Sequence, residues 1–437
     1  MNGNDNHGSQ RLDSEELFST PVRASATTSD RPRPPAASTA VLAAYAATSF
    51  GLSLTILTPA LFGLAYKVQT LAPGSKEAAL GIIAGIGALV GMVAGPVIGV
   101  ISDRTRLAWG RRRPYLVAGI VIAAGGATVI ATATSLSGIL VGWVIAQLGH
   151  GCLGAAIVPV VAESVPAVSR GKAAALSGVA TQLAGVLATL MGSLLTGNQL
   201  LLFLSPVAVL AVTAVFFIAT IPDSPAAATE RPPLGEFVKQ LYFDPRAHPD
   251  FAFVWLSQWL MQISMNFFST YQLYFILDRL ALTPEVAGQK LAVVGGIGVV
   301  VATTSAAVSG AVSDRIRRRK PLIYIAAAFI ATGLVIVGLT PNIVGYAIGA
   351  IAILLGAGMF GAVQMALATD VMPNRDTEAG RYTGVLSVAS NMPSAVAPML
   401  APVILAIGGP SNYTALFFSA AATALGAAVF VGRVHAR

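Results

Sequence analysis

The side chains able to do chemistry are few. Of the four histidines, His7, His150, His248 and His435, and the single cysteine, Cys152, no two stand at metal-ligand spacing, and one cysteine cannot form an internal disulfide. No metal or cofactor is expected. The chain has no H-E-x-x-H or G-x-S-x-G pattern, and Gly171-Lys172 is followed by Ala173, which breaks the phosphate-loop pattern G-x-x-x-x-G-K-[ST]. Neither a membrane-embedded enzyme nor nucleotide-driven transport is expected.

What remains are neutral hydrogen-bonding groups set in apolar sequence. Gln258, Gln262 and Asn266 fall at successive i+4 positions, flanked by Trp255 and Trp259, with Tyr271, Gln272 and Tyr274 farther along. Amides supply donors and acceptors, and indole rings stack on the apolar faces of a hydroxylated ring, a combination that suits a neutral sugar. The alternative is hydrogen bonding between helices with an interfacial aromatic belt, the better account of the outermost tyrosines. Tyr45, Ser49, Gln147, Gln182, Gln364 and Asn391 are further neutral candidates within apolar stretches. No Asp, Glu, Lys or Arg falls at the middle of such a stretch. His150 is the exception. It is either a proton carrier, since an unperturbed histidine titrates at about 6.5, or a neutral bridge between helices. Cys152 reads as packing.

These groups need a frame. The chain has 437 residues, 55% hydrophobic and 11% charged, with a mean hydropathy of +0.74, far too apolar for a water-soluble protein. Crossing a bilayer takes about 20 apolar residues. Twelve segments qualify, near 39–66, 78–101, 114–134, 138–162, 173–197, 200–221, 251–277, 287–310, 321–341, 342–369, 382–407 and 411–432. Residues 1–38 are Ser-, Thr- and Pro-rich without an apolar run, which reads as a disordered tail and not a signal peptide. Residues 222–250 form a polar joiner in which Leu234, Phe237, Val238, Leu241 and Tyr242 keep helical spacing, as an interfacial amphipathic helix or an exposed linker helix would.

The net charge of +8 is distributed by topology. With a cytoplasmic amino terminus, the loops on that side carry 23 of the 27 Lys and Arg, and the other side carries only Lys67, Lys76, Arg279 and Lys290. That asymmetry places both termini, including residues 434–437, in the cytoplasm. Nucleic-acid binding, which needs one folded basic surface, is not expected.

The two halves repeat. Gly142, Gly149, Gly151, Gly154, Glu163 and Pro166 recur 207 residues later as Gly349, Gly356, Gly358, Gly361, Asp370 and Pro373. At an offset of 211, Gly99, Ser102, Asp103, Arg104 and Arg106 recur as Gly310, Ser313, Asp314, Arg315 and Arg317. The expected fold is all-α, with twelve transmembrane helices in two six-helix halves, 39–221 and 251–433, related by a pseudo-two-fold axis along the membrane normal. Gly87, Gly91, Gly95 and Gly99 give the second span a smooth face for close helix approach.

The loop from Gly95 through Ser102-Asp103-Arg104 to Gly110-Arg111-Arg112-Arg113-Pro114 resembles the signature of the major facilitator superfamily, over essentially residues 39–433. The five residues between Arg104 and Gly110 and the triple arginine are similar to the glycoside and sucrose cation symporter branches. The resemblance implies alternating access. It implies that Asp103, Arg104, Arg111 and Arg112 gate against the start of span eleven near Arg381, with Glu163 extending the network. By the repeat, Asp314, Arg315 and Asp370 do the same at span five. Such contacts favour the outward-open state; the alternative is that the arginines only enforce topology. Symporters of those branches commonly carry membrane-embedded carboxylates, and this sequence has none at mid-depth. Either His150, Glu163 or Asp370 couples a proton, or the protein is a uniporter or exporter.

The expectation is therefore a monomeric secondary transporter in the inner (plasma) membrane, its partners being the lipid bilayer, a small neutral polar solute and, in the coupled case, protons. Sugar or glycoside transport is favoured over drug or metabolite efflux by the neutral face of span seven; a receptor would not need a duplicated gating loop.

Overall fold

The computed structural model describes residues 38–105, 107, 109–221, 223, 243–316, 318–373, 375–409 and 411–435. The expected tail, the linker helix around Leu234 to Tyr242, and the repeat arginines Arg106 and Arg317 lie outside the described residues.

Among the described residues the chain forms twelve helical spans, numbered here in order. Spans one to six are Thr39–Leu71, Pro73–Asp103, Arg113–Thr132, Leu136–Ser164, Ala167–Leu194 and Gln199–Thr220. Span seven is Pro249–Arg279. Spans eight to twelve are Pro284–Ile316, Lys320–Leu339, Ile343–Asp370, Gly380–Leu405 and Tyr413–Gly432. Eleven are apolar enough to cross a bilayer; span seven has the length, at 31 residues, but is diluted by its amides. Spans of this kind close every backbone hydrogen bond internally, which hydrocarbon requires.

The helix starts differ between the two ends of the molecule. Spans four, six, ten and twelve begin at Ser135, Asn198, Asn342 and Asn412, each accepting a backbone N–H three residues on. Spans three and nine start from the end that carries the termini, at Arg113-Pro114 and Lys320-Pro321, where the ring nitrogen has no N–H to leave unsatisfied.

The repeated glycines are the contact points within each half. A Cβ at Gly142 would come within 2.8 Å of the Ile130 nitrogen, and one at Gly149 within 2.6 Å of the Ala123 nitrogen, so span four lies flush on span three. Their partners do the same on span nine, Gly349 at 2.7 Å from the Gly333 oxygen and Gly356 at 2.6 Å from the Ala326 oxygen. Gly151 and Gly358 turn the opposite face to spans two and eight, against Ala94 and Ala302. Small residues at helix seams replace the hydrophobic force that lipid cannot supply. The sequence repeat is thus a repeat of helix seams, as the pseudo-two-fold fold demands.

Two spans are irregular. Pro59–Gly63 of span one is a π-helical turn; the helix Arg375–Asn391 that leads into span eleven is kinked at Glu378, and the span is interrupted again before Pro393. Both irregular spans border the central cavity.

Candidate functional site

Between the halves lies a cavity of two lobes, of 530 and 540 Å³. Leu57 and Leu61 of span one and Asn266 and Ser269 of span seven border both. The widened turn begun by Pro59, which has no N–H to give the helix, sits where Ala60 and Leu61 reach the cavity wall. In the first lobe Gln147 and His150 of span four face Asn391 and Ser394 of span eleven. In the second, Thr181 and Gln182 of span five face Gln262, Gln272 and Tyr346. Among the described residues, no Asp, Glu, Lys or Arg lines either lobe.

Of the residues singled out in the sequence, Gln147, His150, Gln182, Gln262, Asn266, Gln272 and Asn391 therefore border the cavity. Others stand elsewhere. Tyr45 is buried in the core of the first half with Leu116, Leu153 and Phe217. Trp255 donates its indole N–H to the Val385 carbonyl at 2.9 Å, and Trp259 packs against the main hydrophobic core with its Nε1 buried. Gln258 donates to Ser390 Oγ at 3.2 Å, and buried Gln364 to the Val254 carbonyl at 3.0 Å. Trp255, Gln258 and Gln364 sit in seams of span seven with spans ten and eleven, where an amide serves helix association. Ser269, Thr270, Ser394 and Thr181 also line the cavity and were not singled out. Ser269 lies three residues after Asn266 on the same helix face, so extending the ladder one step finds it.

The end opposite the termini is closed by contacts that cross between the halves. Lys76, at the start of span two, pairs with Asp278 at the end of span seven, and its ammonium stands 5.0 Å from the centre of the Tyr274 ring. Tyr413 of span twelve lies 2.5 Å from the other Asp278 oxygen and 3.3 Å from Glu77 Oε1. Ser411 donates to the same Glu77 oxygen at 2.8 Å. The Tyr271 hydroxyl lies 3.1 Å from the Glu77 carbonyl and 3.0 Å from that of Pro398, and Tyr274 donates to the Ala65 carbonyl at 2.9 Å. The outer tyrosines are thus inter-half contacts and not only a belt. Beneath them, a Cβ at Gly81 would collide with the Pro398 carbonyl, and one at Gly288 would come within 2.6 Å of Ser193 Cβ.

The end that carries the termini is open. A Cβ at Gly95, Gly99, Gly178 or Gly310 would meet nothing within 4 Å. Along span eight the clearance grows from Gly288 through Gly295, 3.6 Å from Val186, to open space at Gly310. Of the glycine stripe, Gly87 and Gly91 face Trp143 and Gln147 of span four, within the same half, whereas the contact with span eleven is made by Gly81 and Gly85.

At this open end the ionic groups brace each half. Arg112 pairs with Asp103 at 2.7 Å and Glu163 at 2.6 Å, and donates to the Ala155 carbonyl at 3.1 Å; Arg111 pairs with Glu163 at 2.8 Å. Burial opposes the Arg112 charge, but the hydrogen bond and charge of Glu163, with Asp103, more than offset it and raise the guanidinium above its usual range. Arg319, which occupies Arg112's place 207 residues on, pairs with Asp370 at 2.5 Å. Asp223 accepts from the backbone N–H of Arg112 and Arg113, and its carboxylate fills the space a Cβ on Gly110 would take, where φ is +105°. Arg104 follows the last turn of span two, Asp314 and Arg315 close span eight, and Arg381 pairs with Glu378 at 3.0 Å.

With this geometry in view, the chain can be compared with known proteins. The sequence profile of the Major Facilitator Superfamily matches residues 36–398. A rice (Oryza sativa subsp. japonica) protein named sucrose transport protein SUT1 is 40% identical over 73 residues, 17% of this chain and 12% of that protein. A Synechocystis protein named uncharacterized symporter sll1374 is 36% identical over 78 residues, 18% of this chain and 14% of that one. This chain therefore aligns with only a small part of either relative. The crystal structure of the nucleoside transporter NupG superposes with a TM-score of 0.72 at 12% identity, covering 90% of this chain and all of that one. At that identity the likeness is one of fold.

Proposed function

Because the chain belongs to the Major Facilitator Superfamily, we propose that it is a secondary transporter of a small neutral polar solute, a sugar or glycoside, working by alternating access. The observation that carries this reading is the cavity. It is central, lined by hydroxyls, amides and apolar groups without a charge, sealed at one end by contacts between the halves and open at the other. A charged solute bound there would lack a counter-ion in a medium that penalises unpaired charge. The short match to a protein named sucrose transporter supports the sugar class.

The open end carries the arginine clusters Arg111 to Arg113 and Arg318 to Lys320, so by the charge rule it faces the cytoplasm, with both termini. On this reading the protein lies in the inner membrane and the open end marks its inward-open state. One chain holds both halves and the whole cavity, and a monomer suffices. Residues 39–221 and 251–433 rock as two units joined by 222–250. In the outward-open state the cytoplasmic ends of spans two and eight, with Asp103, Arg104, Asp314 and Arg315, close on spans eleven and five. The braces at Glu163 and Asp370 keep each half in shape.

Uptake of labelled mono- and disaccharides into proteoliposomes, with and without an acid-outside gradient, tests this. Accumulation of one sugar only with the gradient is the result expected of symport, and equilibration without it that of a uniporter. No sugar flux in folded protein would overturn the sugar class.

A further inference from the structure

Gln147, Asn266 and Gln262 turn their NH2 groups to backbone carbonyls and away from the cavity, and the partners show why. Gln147 Nε2 faces the Gly87 carbonyl at 3.1 Å, Asn266 Nδ2 the Gln262 carbonyl at 2.7 Å, and Gln262 Nε2 the Ser390 carbonyl at 3.4 Å. A backbone carbonyl only accepts, so each side-chain nitrogen is fixed as the donor and each side-chain oxygen is left over. The Gln147 oxygen lies 2.9 Å from His150 Nδ1. An acceptor there requires the proton on Nδ1, so neutral His150 is held in one tautomer with its Nε2 lone pair unused. His150 Nε2, Asn266 Oδ1 and Gln262 Oε1 are not among the polar atoms sealed off in the interior, and their residues border the cavity. No carboxylate lines either lobe to hold a second proton on the ring, and Trp143 meets it edge-on at 6.1 Å.

We propose that the cavity recognises its solute through the solute's own O–H and N–H protons, with His150 Nε2, Asn266 Oδ1 and Gln262 Oε1 as the acceptors. His150 is then a specificity-determining residue for a donor group and not a proton carrier, and Gln147 is the positioning residue that sets its tautomer. The solute class rests on the sugar reading above, but the tautomer does not. Sugar hydroxyls donate as well as accept and fit. Fully O-methylated sugars keep oxygen lone pairs but have no O–H to donate, and are refused.

Two measurements on the full-length protein test this separately. Nitrogen-15 histidine NMR in nanodiscs, with the His150 signals identified by their loss in His150→Gln, is expected at neutral pH to show a protonated Nδ1 and a pyridine-type Nε2. An Nε2–H tautomer or an imidazolium would overturn the proposal, whether or not any sugar is carried. In the uptake assay, glucose and sucrose are compared with their deoxy and deoxyfluoro forms, since fluorine accepts weakly but cannot donate. At a recognised position both replacements are expected to cut uptake about equally, by about tenfold. A fluoro form carried like its parent while the deoxy form is refused would mean that the protein donates, and would overturn the acceptor assignment. His150→Gln, which can offer an oxygen near the Nε2 position, is expected to keep uptake, while His150→Leu loses about tenfold. Equal loss in both would favour a merely structural histidine. Absence of flux for every parent sugar would count against the solute class and leave the NMR result to decide the tautomer.

Discussion

The two ends of the molecule use the same kinds of residue for opposite purposes. At the closed end Lys76, Glu77 and Ala65 of the first half meet Asp278, Ser411, Tyr413, Tyr271 and Tyr274 of the second. At the open end Arg112 binds Asp103 and Glu163, and Arg319 binds Asp370, each within its own half. On the proposed mechanism, contacts of the first kind break when the halves rock, whereas contacts of the second kind persist through the cycle. The open-end pairs obey the sequence repeat; the closed-end contacts join unlike residues across the pseudo-symmetry. An ion pair's place relative to the moving boundary, more than its strength, decides whether it acts as a brace or a latch.

That contrast can be broken at either end. The largest effect is expected from Arg112→Ala, which strips a buried partner from two carboxylates and leaves the Ala155 carbonyl without its donor. It should cost about 2 kcal/mol, below the usual range for a broken buried pair because both acids are about a third exposed. Thermal unfolding in detergent reads this as a lowered midpoint, with the balance between states little changed. Gly81→Leu comes next. Its side chain has no room against Pro398, and overpacking of about 1–3 kcal/mol is paid only when the closed end is closed. Uptake should fall about tenfold, with labelling of closed-end cysteines faster, and an unchanged labelling rate would contradict the latch. Asp278→Asn weakens the Lys76 and Tyr413 contacts with the fold left intact. A shift of about 1 kcal/mol, roughly fivefold in the same labelling rate, is expected, since Lys76 can reach water by snorkelling. The smallest effect belongs to Tyr45→Phe. Because Tyr45 packs inside one half, the sugar KM should stay within about twofold.

Much of the frame was legible in the chain, because hydropathy and a fixed-offset repeat are one-dimensional signals. Gly142 with Gly349 and Gly149 with Gly356 mark the same seams in both halves, and Glu163 with Asp370 the same brace. The i+4 ladder on span seven was legible too, but which rungs face the cavity was not. Gln258 and Gln262 are one turn apart, yet Gln258 spends its amide on Ser390 Oγ while Gln262 also reaches the second lobe. Span packing decides this, and periodicity gives only a face. The latch was the least legible. Lys76, Glu77 and Asp278 sit at span ends and are separated by 202 residues between Lys76 and Asp278, with no repeat to pair them. Gly81 and Gly85 keep the same four-residue spacing as Gly87 and Gly91, and only the three-dimensional packing tells which pair meets the other half.

Reciprocity between the two ends is tested most directly by distance measurement with paired spin labels. Labels at Leu71 and Arg279 would report the closed end, and labels at Lys172 and Val312 the open one, in a Cys152→Ser background that removes the single cysteine. On introducing Gly81→Leu, the Leu71–Arg279 distance should lengthen while the Lys172–Val312 distance shortens in the same fraction of molecules. Opening at the first pair with no closure at the second would contradict two halves rocking about one cavity.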